Sequence, residues 1–123
     1  MMTYSLAAVA MTLTGCKAVT TTIVVVNESG ARLSVSAKGT YKKKSYSFVK
    51  KNIANGKSAK QKYVSTAKKG TVIDVEVLSL LIGGVAVPGP YPTLPVVIGK
   101  TNTFTIYEGG ALTPPDEEEE ETV

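Results

Sequence analysis

Residues 20–37 read Thr-Thr-Thr-Ile-Val-Val-Val-Asn-Glu-Ser-Gly-Ala-Arg-Leu-Ser-Val-Ser-Ala. The first eight are almost all β-branched, and such side chains suit a pleated, half-buried surface. Asn27, Glu28, Ser29 and Gly30 then turn the chain, because Asn and Gly tolerate the positive φ of tight turns. From Arg32 to Ala37 the pattern alternates, with Leu33, Val35 and Ala37 on one face and Arg32, Ser34 and Ser36 on the other. That period of two marks a strand with one wet side. The two runs read as a hairpin.

The same reading continues outward. Residues 46–49 form a weaker strand, Asn55-Gly56 a second hairpin-type turn, and residues 61–66 a returning strand. Lys69-Gly70 turns again, and residues 71–80 make the longest strand, with Ile73, Val75 and Val77 opposite Asp74 and Glu76. Gly83-Gly84 ends it. Residues 85–87 and 96–98 flank a segment with four prolines in eight residues (88–95), which suits an extended loop or a sheet edge. In residues 102–108, Phe104 and Ile106 alternate with Thr103, Thr105 and Tyr107. No stretch holds a helical period. The expected fold is all-β, an antiparallel β-sandwich of the immunoglobulin or C2 kind with about seven or eight short strands.

Length allows one domain. Its net charge of +4 conceals a division: six of the ten acids lie in residues 116–121. Residues 1–115 therefore carry fourteen basic side chains against Glu28, Asp74, Glu76 and Glu108. An acid-rich end without apolar residues repels itself, so residues 111–123 are expected as a disordered acidic tail. The sandwich itself is assigned to residues 20–110.

Catalysis finds little support. The chain has no His and one Cys, so the common nucleophile–base pairs are missing. Asp74 and Glu76 lie two apart on one strand face, about 7 Å between Cα atoms, a separation glycosidases use. A solvated face meeting nearby lysines accounts for them more simply. No residue set calls for a metal or a cofactor. The expectation is a protein that is not an enzyme.

Between Lys38 and Lys69 stand eleven lysines and no acid, with Tyr41, Tyr46, Phe48 and Tyr63 interleaved. The candidates for contact with an anionic partner are Lys42, Lys43, Lys44, Lys50, Lys51, Lys57, Lys60 and Lys62. Such a patch attracts anionic polymers or phospholipid headgroups, and a protein partner is the other expectation. Lysines on sheet edges also block edge-to-edge pairing, and both readings stand. The run has no Arg, the side chain suited to reading phosphate geometry, which argues against nucleic acid. Residues 77–99 carry no charge, and Tyr91 among the prolines is a candidate recognition loop.

The first fifteen residues have an apolar heart of about ten, half the length that crosses a bilayer. They end in Leu13-Thr14-Gly15-Cys16, and no Lys or Arg precedes Lys17. The segment resembles a signal peptide, and the four residues resemble the lipobox of bacterial lipoproteins. That resemblance implies removal of residues 1–15, acylation of Cys16 and a short linker over residues 16–19. A lipid anchor in the cell envelope follows; Lys17, in place of Asp, resembles the outer-membrane default. Three residues span at most about 10 Å, which would hold the sandwich close to the headgroups. A second resemblance rests on the order of strand, Asn turn and basic loop, together with Gly99-Lys-Thr-Asn-Thr-Phe104. It is to aegerolysins, β-sandwich proteins that bind membrane lipids, although the tryptophans usual there are absent here. The leading expectation is a lipid-anchored binding or assembly module using a Lys-rich face. The alternative is a soluble β-sandwich that binds membranes or anionic polymers directly.

Overall fold

A computed structural model describes residues 18–111 and the backbone of residues 116–119. Nine strands are arranged in two sheets. They are β1 (Val19–Glu28), β2 (Leu33–Tyr41), β3 (Lys44–Ile53), β4 (Ser58–Ser65), β5 (Val72–Ile82), β6 (Val85–Ala86), β7 (Thr93–Val97), β8 (Lys100–Tyr107) and β9 (Asp116–Glu119). One sheet runs β4-β1-β8-β9; the other runs β3-β2-β5, with β6 and β7 both on the far edge of β5. The fold is an all-β sandwich, as the alternating pattern predicts.

The connections differ from those read in the sequence. β1 and β2 are not a hairpin: β1 pairs with β4 and β8, while β2 pairs with β3 and β5. Asn55-Gly56 likewise does not close a hairpin, since β3 and β4 lie in different sheets. Local turn chemistry reverses the chain but leaves open whether the next strand pairs or crosses to the other layer. One pairing is also parallel, β1 beside β8. β1 thus lies inside its sheet, and Thr21, Thr22, Ile23 and Val25 are all buried, which suits its unbroken β-branched run.

The core lies between the layers, around Tyr46, Phe48, Phe104, Ile23, Leu33, Ile98, Val25, Val75 and Val96. The expected inward faces of β2 and β8 are the buried ones. In β5 the period slips. Ser36 faces Ser79 but Ala37 faces Val77, so Leu78 is an extra residue and is 56% exposed. A bulge of this kind changes parity along the strand, and Leu80 rather than Ser79 turns inward. Proline is tolerated in β7 because that strand is at the edge, where Pro95 faces Asp74.

Two further expectations change. β3 spans ten residues where residues 46–49 were expected, because its lysines hide the strand pattern at both ends. Asp116–Glu119, expected to be without structure, pairs antiparallel with β8 from Thr103 to Lys100. Backbone pairing to an open edge does not depend on side-chain hydrophobicity. The rest of the tail and residues 1–17, with the expected signal peptide and Cys16, lie outside the described residues.

Candidate anionic-partner surface

β3 ends one sheet and β4 ends the other, and the two edges lie on the same flank of the sandwich. Tyr46 of β3 and Tyr63 of β4 bridge the layers there, with ring centroids 5.4 Å apart and planes tilted by 59°. The Tyr63 hydroxyl donates to the backbone oxygen of Ser47 at 2.6 Å. Burial pushes the Tyr63 phenol up from 10.0 to about 12.

This flank gathers the predicted lysines. Lys44, Lys50 and Lys51 are on β3, and Lys60 and Lys62 are on β4. Lys42 and Lys43 form the β2–β3 turn, and Lys57 lies in the connection from β3 to β4. Lys50 is half-buried and the other seven are exposed. Lys38 stands apart, on β2 opposite Glu76 of β5. A groove of about 420 Å³ on that outer face holds Lys38, Asp74, Glu76 and Thr93. The two carboxylates are exposed strand residues beside a lysine, as the simpler reading of the sequence has it.

The acidic strand β9 is on the opposite edge of its sheet, with β1 and β8 between it and β4. Over residues 116–119 the tail does not cover the lysines. Tyr91 is half-buried, not exposed. Its ring packs against the core, and its hydroxyl donates to the backbone oxygen of Val87. The proline loop closes one end of the core, where Tyr91, Pro92 and Gly110 meet Phe104 and Ile106.

Two features of the flank carry no signal in the sequence. Lys42 and Lys43 both have positive φ, 48° and 68°, and Tyr41 pairs directly with Lys44. A two-residue turn with both central residues in this region is the tight hairpin usually built from Asn-Gly or Gly-Gly. Nothing in Lys-Lys announces it. Beside the turn lies a cleft of about 300 Å³, lined by Tyr41, Lys42, Lys44, Tyr46, Ser65, Thr66 and Ala67. Lys42 Nζ is 5.6 Å from the centroid of the Tyr41 ring, and Lys44 Nζ is 5.9 Å from that of Tyr46. Among the described residues no group of His, Cys, Asp and Glu is placed to hold a metal ion, and no helix is long and apolar enough to cross a membrane.

The chain matches no family model, no curated protein and no solved structure.

Proposed function

We propose that this chain is a non-enzymatic, lipid-anchored module of a bacterial envelope, most simply the outer membrane, that docks against an anionic surface through its lysine flank. The observation that carries the reading is the meeting of β3 and β4 on one flank, which brings eight lysines together. Exposed ammonium groups concentrate anionic headgroups or polymers, and the attraction decays over about 8 Å at physiological salt. The anchor rests on the lipobox resemblance at Cys16. Two acyl chains hold a protein at a bilayer, since each buried methylene contributes about 0.8 kcal/mol.

The test uses the full chain carrying Cys16→Ser, which removes the acylation site. Its binding to anionic vesicles should fall steeply from low to high salt. Replacing Lys51, Lys57, Lys60 and Lys62 with Glu should remove most binding and leave thermal stability nearly unchanged, because exposed charges contribute little to folding. Binding indifferent to salt and to these four changes would leave the lysines as edge protection only. For the anchor, mass spectrometry of the mature wild-type protein decides: an intact Met1 overturns it.

A further inference from the structure

The two ends of the sandwich differ in how they treat buried polar groups. At one end Asn27, wholly buried, donates from Nδ2 to the backbone oxygens of Ala31 and Ile53 and accepts from Ser29. At the other end is Tyr46, also wholly buried, whose hydroxyl has no hydrogen-bond partner among the described residues. A buried donor left unmade is rare, and its cost makes each instance informative. Tyr46 lines the cleft beside the Lys42-Lys43 turn, and because its hydroxyl has no accessible surface, a group entering the cleft reaches it by displacing the side chains that cover it.

The cleft presents donors and no carboxylate. Lys42 and Lys44 supply ammonium groups held over aromatic faces. Ser65 accepts from the Ala67 amide at 3.4 Å and keeps its own hydroxyl proton to donate. Thr66 adds a second hydroxyl. Several donors with two positive charges around one cleft suit a tetrahedral oxyanion with more acceptor sites than a carboxylate offers. The volume is at the small end of the range for ligand pockets, enough for one compact group. The tight turn is also selective about which lysines it delivers: Lys42 and Lys44 line the cleft and Lys43 does not. Backbone held in a sparsely populated region often marks a functional site.

Position indicates where the group comes from. Val19, the first residue of β1, pairs with Ser65 on the cleft wall. Cys16 is three residues earlier, so a lipid on it would be within about 10 Å of this end of the domain. We propose that the cleft binds a phosphate monoester group, presented by a headgroup of the membrane that holds the anchor. This deepens the reading given above and rests on its view of the lysines as facing an anionic surface.

The experiment again uses the full chain with Cys16→Ser. Vesicles containing phosphatidic acid are compared with phosphatidylserine vesicles of matched surface charge, and glycerol 3-phosphate is titrated with amide shifts observed by NMR. Expected are saturable shifts at Lys42, Lys44, Ser65 and Thr66 and a preference for phosphatidic acid. Tyr46→Phe should weaken glycerol 3-phosphate binding about tenfold, the size of one hydrogen bond to a charged group, and abolish the preference. Removing an unpartnered hydroxyl should not lower the melting temperature, so the variant remains folded. Lys42→Ala and Lys44→Ala should act in the same direction, while Lys43→Ala should keep the preference. If Tyr46→Phe retains both binding and preference, the cleft is not the site, whatever the salt dependence of the flank. If glycerol 3-phosphate binds at the cleft while vesicles show no preference, the lipid source is overturned. Vesicle binding indifferent to salt would defeat the flank reading alone, and the titration would still decide the cleft.

Discussion

Asn27 of β1 and Tyr46 of β3 lie at opposite ends of the sandwich, and both are fully buried. Asn27 spends its whole amide on its own chain, joining the end of β1, the turn at Ala31 and the end of β3. Among the described residues Tyr46 finds no partner for its hydroxyl, next to a turn built from two lysines at positive φ. A satisfied buried network rigidifies and specifies one arrangement. An unsatisfied one costs stability, and is retained most readily where another molecule completes it. The difference separates an end of the sandwich whose buried polar groups satisfy one another from an end where, among the described residues, one stays unpaired.

The sharpest way to break this contrast is Asn27→Ala. It takes the side-chain donor from the Ile53 carbonyl and the acceptor from the Ser29 amide, while the Ala31 carbonyl and the Ser29 hydroxyl keep each other; a buried polar group left unpaired loses about 1–3 kcal/mol. Chemical denaturation should show a loss of about 3 kcal/mol, while the fraction still folded binds anionic vesicles as wild type does. Gly39→Ala comes next. A Cβ at Gly39 would lie 2.9 Å from Val75 Cγ2 and 3.0 Å from the Asp74 backbone oxygen, so β2 and β5 must part. Overpacking of this kind costs about 1–3 kcal/mol, and the melting temperature should drop accordingly.

The turn sharpens the contrast from the other side. Replacing Lys42 with Asn and Lys43 with Gly gives the preferred pair for this geometry, and should raise stability by about 1 kcal/mol. The same double variant should weaken glycerol 3-phosphate binding, since Lys42 is lost from the cleft. Greater stability with undiminished binding would detach the strained turn from function.

The smallest effect is nil at neutral pH and concerns Tyr63. Folding raises the Tyr63 phenol from 10.0 to about 12, so the folded chain holds that proton longer than the unfolded one. Its contribution is whole below pH 10 and is lost as pH climbs towards 12. The melting temperature should therefore fall between those values, and part of the fall should vanish in Tyr63→Phe. An identical pH profile in that variant would contradict the burial of Tyr63 against Ser47.

The sequence by itself determined the all-β class and most of the inward faces. Leu33, Val35, Ala37, Phe104 and Ile106 are buried as alternation requires, because a period of two fixes which side of a strand leaves water. It also marked Gly56, Gly70 and Gly83 as turn positions, and all three adopt positive φ. Alternation is silent about partners, however. Only the tertiary structure placed β1 parallel to β8, sent β3 and β4 to different sheets, and set their lysines on one flank. It alone made Lys42 and Lys43 a tight turn, since the long-range pairing of β2 with β3 overrides the poor local preference of lysine for that conformation. And it alone separated two tyrosines of like sequence setting: Tyr63 Oη reaches a carbonyl of the neighbouring edge strand, and Tyr46 Oη reaches none among the described residues. Hydrogen-bond satisfaction depends on what another layer places within 3 Å, and no local pattern encodes that distance.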